Sequence, residues 1–370
     1  MSTSTTQSPG HARLARRSLE VITAHQAASG AYPACPGYEV YRYSWFRDGS
    51  FVAEAASRYG ATGSADAFHR WCAKVITDRA SRIERIIAVR AAGGQPAEAD
   101  LLPTRYTLDG ADTGDVGWWD FQTDGYGTWL WALTEHLRRH GGDPAPYREA
   151  IRLTVGYLAA TWDLPCYDWW EESKEHRHGA TLGAIRGGLA AVGAAGLDTV
   201  GRCGPTVTRI DALVREQGLY GGGLAKWLGG AAVDASLLAC LTPFGSVDPA
   251  GPVARATLAA IERDLVEPEG GVHRYLQDVF YGGGQWPVLA GLLGWHYARV
   301  GRTGDALREL EWIASRSTAD GLLPEQAPGV RLLAPEHLAE WEERWGPNAT
   351  PLLWSHAMYL ILAHELGVSV

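Results

Sequence analysis

The 370-residue chain is 46% hydrophobic and 20% charged, the balance of a globular protein with a sizeable core. Its formal net charge is −9, with 33 Lys and Arg against 42 Asp and Glu, which disfavours nucleic acid and anionic membrane as general partners. The five cysteines (Cys35, Cys72, Cys166, Cys203 and Cys240) are widely spaced with no C-x-x-C pair, so neither a zinc ribbon nor a redox motif is supported and free thiols are expected.

Residues 1–10, rich in Ser, Thr, Gln and Pro, read as a disordered tail, with one domain over 11–370. No signal-peptide pattern or membrane-length apolar run is present, which predicts a cytoplasmic protein. Helical periodicity starts at 12–28, where Leu14, Leu19, Ile22 and Ala27 share a face. It returns at 64–92, 125–141, 147–162, 180–197, 207–218, 234–241, 253–265, 286–301, 303–317 and 352–367, many of these bounded by capping residues and Gly. Sustained β alternation is rare, and no Pro/Gly/Ser-rich linker divides the chain. The pattern predicts an all-α single domain whose paired helices form a ring, with functional connections gathered at one end.

Five connections concentrate aromatic and charged residues. The first, "YEVYRYSWFRDGS" (38–50), holds Tyr41, Tyr43, Trp45, Arg47 and Asp48. Aromatic rings stack on the C–H faces of sugars and charged groups take their hydroxyls, although the same residues could form a packed loop ion pair. The second, "GDVGWWDFQTDGYGTWLW" (114–131), holds Trp118, Trp119, Asp120, Gln122 and Asp124, with Trp129 expected in the core. The third, "PCYDWWEE" (165–172), sets Trp169 and Trp170 against Glu171 and Glu172. A carboxyl desolvated by indole rings keeps its proton toward neutrality, which makes a general acid; two glutamates at a helix start are the plainer alternative. The fourth, "GGVHRYLQDVFYGGGQWP" (270–287), carries Arg274, Tyr275 and Asp278, and the fifth, "ADGLLPEQAPG" (319–329), carries Glu325 between prolines. Glycosidic hydrolysis needs one carboxylic acid and one carboxylate, and Glu171 and Glu325 can supply the pair.

Other chemistries fit poorly. "YGGGLAKWLGG" does not match G-x-G-x-x-G, and neither a phosphate-loop motif nor a G-x-S-x-G elbow occurs. Glu175, His176 and His178 lack the H-E-x-x-H order and read as a solvated charged stretch rather than a zinc site.

Taken in order, "YRYSWFRD", "WWDFQTDG", "YDWWEE", "HRYLQDVFYGGGQWP", "LLPEQ" and "LLWSHA" resemble the motifs of glycoside hydrolase family 15, the glucoamylases and related bacterial enzymes, from about residue 38 to the C-terminus. The resemblance implies an (α/α)6 barrel and an exo-acting pocket that hydrolyses α-glucosides with inversion, without metal or organic cofactor. It implies Glu171 as general acid and Glu325 as general base, with Tyr41 beside the attacking water and available as an auxiliary base. It further implies Arg47 and Asp48 on the 4- and 6-hydroxyls of the terminal glucose and Arg274 on the 2- and 3-hydroxyls. Trp118 would flank the acid and Glu172 would lie near the leaving sugar, while Trp45, Trp170, Asp278 and Trp354 fall at pocket-lining positions. Tyr43, Trp119, Asp120 and Asp124 stay open between pocket and packing.

One departure stands out. Phe280 replaces the Tyr usual in "DVFY", and a phenyl ring cannot donate a hydrogen bond to Tyr41, which leaves that phenol freer to move or titrate. The expected substrate is a short α-gluco-oligosaccharide, with an isomaltose-type α-1,6 disaccharide ahead of maltose-type α-1,4 glucosides and trehalose. A sugar-binding protein without turnover, and a phosphorylase or uronic-acid hydrolase on a similar barrel, are the alternatives.

Overall fold

Helices whose whole circumference is apolar or small alternate along the chain with helices that bury a single stripe. The computed structural model describes residues 9–114 and 121–370. Its helices are α1 (Pro9–Ala24), α2 (Phe46–Arg58), α3 (Thr62–Thr77), α4 (Ala80–Ala91), α5 (Asp124–His140), α6 (Arg148–Thr161) and α7 (Gly179–Ala194), followed by α8 (Cys203–Gln217), α9 (Leu238–Leu241), α10 (Pro252–Asp264), α11 (Pro287–Arg299), α12 (Thr303–Ser315), α13 (Leu338–Trp345) and α14 (Leu353–Glu365). Four two-residue strands form two short antiparallel pairs, β1 (Ser44–Trp45) with β2 (Arg105–Tyr106) and β3 (Leu219–Tyr220) with β4 (Gly223–Leu224).

The all-round buried helices close a ring. α2 packs on α5, α5 on α7, α7 on α9, α9 on α11, α11 on α14, and α14 back on α2. In α11 every residue from Pro287 to Tyr297 is buried, and in α14 every residue from Leu353 to Ala363. An amphipathic stripe could not fill such a position, which has protein on all sides. The second layer is amphipathic: α10 buries Ala254, Thr257, Leu258 and Ile261, one face at helical spacing. α1 lies against α14, α3 against α2, α8 against α7 and α12 against α11. This is an (α/α)6 barrel in one domain. Among the described residues, no helix is long and apolar enough to cross a membrane.

Small residues let the inner helices approach one another. A Cβ on Gly127 of α5 would lie 2.5 Å from the Ala184 carbonyl oxygen, and one on Gly188 of α7 would lie 2.1 Å from that of Gly127. Both distances are impossible, so this crossing requires glycine.

Four details differ from the sequence expectation. The periodic run 64–92 is two helices, broken at Asp78 and Arg79, where the Arg79 guanidinium reaches the Val75 and Gly110 carbonyls. The run 234–241 is a 3-10 turn and one short helix, because the Asp234 side chain caps the turn through Ser236 N–H and Pro243 follows. Residues 338–345 form a helix outside the periodic runs. At the N-terminus α1 takes in Pro9 and Gly10, while residues 1–8 lie outside the described residues.

Candidate active site

Six connections lead into the six inner helices, and among the described residues four of them converge on one cavity of about 330 Å³. That volume is at the lower end of ligand pockets, roughly 300–1,000 Å³. Tyr41, Trp45, Arg47 and Asp48 enter it from the start of α2, and Trp170, Glu171 and Glu172 from the connection before α7. Arg274 and Phe280 come from the connection before α11, Glu325 from the connection before α14, and Trp354 from the first turn of α14 itself.

Arg47 is the floor of the site. It is 4% exposed, its Nη1 donates to Asp124 Oδ2 at 3.0 Å, and its Nε lies 3.4 Å from Asp48 Oδ2. Its guanidinium sits over the Trp354 and Trp169 rings at 5.4 and 5.8 Å. Asp124, left open by the sequence, therefore holds Arg47. Burial lifts Asp48 to about 6 against the pull of Arg47.

Glu171 lies beside this floor. Trp45 Nε1 donates to its Oε1 at 2.5 Å, Arg47 Nη2 is 3.9 Å from the same oxygen, and Oε2 has no protein partner. Burial raises its pKa; Arg47, Arg105 and the Trp45 hydrogen bond oppose that rise. The backbone of Glu171 is left-handed, with φ of 62°.

Glu325 is held from both sides. Its N–H donates to the Ala349 carbonyl at 2.9 Å, and the preceding Pro324 carbonyl accepts from Ser355 of α14 at 2.7 Å. Next to it, Gln326 accepts from Gly284 N–H and donates to the Phe280 carbonyl, tying the Glu325 loop to the Arg274 loop. Burial pushes Glu325 up to about 8, against the hydrogen bond from Tyr41 and the charge of Arg274. Burial, with Glu325 next in order, drives the Tyr41 phenol well above its ordinary value. Glu325 Oε2, like Glu171 Oε2, has no protein partner.

Asp278 does not line the cavity. It is fully buried behind Arg274, accepting from Nε at 2.7 Å and from Nη2, so that guanidinium is aimed by a bidentate pair. Arg274 also reaches Glu172 at 3.4 Å, and Tyr275 donates to the other Glu172 oxygen. Phe280 packs between Trp286, Trp341 and Tyr281. Tyr43 lies outside the cavity, edge-on to Trp45. Trp118, Trp119 and Asp120 fall outside the described residues. His178 is buried, not solvated, and meets the Ser173 carbonyl at 2.9 Å, while His176 stacks on Trp227. Among the described residues no cluster of His, Cys, Asp or Glu could hold a metal ion.

Trp286 and the α13 face of Trp341, Arg344 and Trp345, which the sequence does not single out, also stand on the cavity wall. The α13 residues stand at i, i+3 and i+4, so one helical face was legible there.

A family model for "Glycosyl hydrolases family 15" matches residues 10–304. An isomaltose glucohydrolase from Kribbella flavida is 54% identical over 360 residues, covering 96% of this chain and 93% of that one. A glycosidase solved in complex with glucose as a Glu-to-Ala variant superposes with TM-score 0.95 at 51% identity over the whole of both chains. A bacterial glucoamylase complexed with acarbose shares the fold, with TM-score 0.71 at 20% identity, covering 96% of this chain and 56% of that one.

Removing Asp278 would strand a buried guanidinium. Asp278→Ala should lower unfolding free energy in guanidinium chloride by about 3–5 kcal/mol. A loss within about 0.5 kcal/mol, as for an ordinary surface change, would contradict the pairing.

Proposed function

The chain belongs to glycosyl hydrolase family 15, and from that premise we propose that it is an exo-acting, inverting α-glucosidase of short α-gluco-oligosaccharides, with isomaltose-type α-1,6 disaccharides favoured. The observation that carries the reading is two buried carboxyls from different connections, Glu171 and Glu325, in one cavity, each with one oxygen free of protein partners. The α-1,6 linkage rests on the likeness to the Kribbella flavida relative. The five cysteines, all free and buried, suit a reducing compartment, and a cytoplasmic location is part of the proposal.

In this reading Glu171 is the general acid. Its Oε1 accepts from Trp45, so Oε2 carries the proton and delivers it to the glycosidic oxygen as the bond to C1 breaks. Glu325 is the general base: it takes a proton from water attacking C1 on the opposite face, and β-glucose leaves. Tyr41, in contact with Glu325, orients that water and shares its proton. Arg47 and Asp48 take the 4- and 6-hydroxyls, and Arg274, aimed by Asp278, takes the 2- and 3-hydroxyls. Trp45, Trp170, Phe280 and Trp354 wall the pocket, Glu172 serves the leaving sugar, and Trp118 is assigned the flank of the acid on resemblance alone.

Glucose release across a panel of glucose disaccharides tests the substrate. Isomaltose should give the highest kcat/KM, and a clear preference for maltose or trehalose would overturn the linkage. Glu171→Gln and Glu325→Gln should each lower kcat by about 10²–10⁴-fold with the fold intact; near-normal turnover in either removes its assignment.

The acid side of the kcat/KM profile reports the base in the free enzyme. Glu325 is raised to about 8, so its proton-accepting form is present above that value and is lost as pH falls through it. The ascending limb should therefore lie well above the ordinary glutamate value of about 4.3. A limb at that ordinary value would show that burial does not govern Glu325.

A further inference from the structure

The turn carrying Glu171 is under backbone strain. Glu171 and Ser173 adopt left-handed φ values of 62° and 51°. Such a residue costs about 1–3 kcal/mol and persists only where its surroundings over-determine it. One side chain does most of the holding. Asp168 Oδ1 accepts from Trp170 N–H at 2.9 Å and from Glu172 N–H at 3.0 Å, one donor on each side of Glu171. The backbone closes the same loop, with Asp168 N–H on the Glu172 carbonyl and Glu171 N–H on the Asp168 carbonyl, each at 3.1 Å.

That carboxylate is 4% exposed and needs a counter-charge to stay ionised. Lys226 supplies it from the connection before α9. Its Nζ lies 3.6 Å from Asp168 Oδ2 and 3.0 Å from Asp234 Oδ2. Asp234 in turn accepts from Trp170 Nε1 at 3.0 Å. The same ammonium sits 3.3 Å from the centre of the Tyr275 ring, whose hydroxyl donates to Glu172. Three supports of segment 168–172 thus converge on one cation: the backbone through Asp168, the Trp170 indole through Asp234, and Glu172 through Tyr275. Lys226 does not line the cavity. It is buried, whereas Lys74 and Lys174, the other two lysines, are exposed. A compact ammonium fits between two carboxylates and against a ring face.

We propose that Lys226 is a positioning residue for the general acid: shared between Asp168 and Asp234, its ammonium holds the strained turn so that Glu171 presents its proton to the leaving oxygen. This rests on Glu171 being the acid. A residue that acts only through the acid matters in proportion to how much the leaving group needs a proton. An alkoxide leaving from isomaltose needs one. Fluoride leaving from α-glucosyl fluoride departs as the anion, while water still attacks C1 and Glu325 still takes the water proton.

The test compares kcat on isomaltose and on α-glucosyl fluoride for wild type, Lys226→Met, Lys226→Arg and Glu171→Gln. Lys226→Met should be slower by about 10²-fold on isomaltose, the scale of a small misplacement of a catalytic group, and by less than about threefold on α-glucosyl fluoride. Lys226→Arg, which keeps the charge, should recover part of the isomaltose rate. Equal losses on both substrates would mean general destabilisation, and no loss on isomaltose would mean that the turn holds itself; either overturns the proposal. If Lys226→Met yields no folded protein, Asp234→Asn removes one of the ammonium's two counter-charges at constant volume and is read by the same ratio. Glu171→Gln separates the two claims. If it shows the leaving-group contrast and the Lys226 variants do not, the acid assignment stands and the positioning role fails. If it slows both substrates equally, the acid assignment fails and takes this proposal with it.

Discussion

The site depends on keeping one guanidinium, Arg47, charged and away from water. Taking an ion pair out of solvent costs several kcal/mol per ion, and the attraction offsets this only when geometry and packing are good. Here Asp124 meets it at 3.0 Å and two indole rings cover it. Arg47 stands in the first turn of α2, Asp124 in the first turn of α5, Trp354 in the first turn of α14, and Trp169 and Glu171 in the connection to α7. Four segments of the inner ring therefore meet at one charge. That charge is also the largest influence opposing burial at Glu171, so the packing of the ring and the hold of Glu171 on its proton share one contact.

The barrel explains why the chemistry collects at one end. Each inner helix starts at that end, so the long connection before it opens there. The backbone N–H groups of those first turns favour anionic groups such as Asp48 and Asp124. Backbone strain collects near the same end. Glu171, Ser173 and Tyr281 are the positive-φ residues other than glycine among those described. Asp48 Oδ2, Glu171 Oε2, Glu325 Oε2 and Trp354 Nε1 are buried without a hydrogen-bond partner. Strained backbone at Glu171 beside cavity-lining polar atoms left without hydrogen bonds suits a polar ligand rather than stability.

The ring was legible because helical segments alternate with connections dense in Trp, Tyr, Gly, Asp and Glu, the pattern of paired helices with their functional connections at one end. The particular contacts that close it, such as α14 with α2, were not legible, because no local window contains them. Most cavity residues were legible because Trp, Arg and carboxylates share short connections, a combination that neither a core nor a solvated face favours. What stayed hidden was the difference between lining a cavity and supporting one. Asp278 and Asp124 have the chemistry of sugar ligands, yet each is spent on an arginine. Lys226 sits in a glycine-rich stretch with no motif, and its role exists only because Asp168 and Asp234, distant in sequence, fold to either side of it. The α13 face stands apart from the aromatic–acidic connections: Trp341, Arg344 and Trp345 sit among glutamates in a short helix after Pro335.

The account's central claim is that two carboxyls act from opposite faces of one sugar, Glu171 giving a proton while Glu325 takes one from water. Proton NMR of isomaltose hydrolysis, recorded before mutarotation, reads that geometry from the first glucose released. The account predicts the β-anomer at C1 of the newly cut sugar. Early accumulation of the α-anomer would mean retention, and the assignment of Glu325 to water rather than to C1 would be wrong.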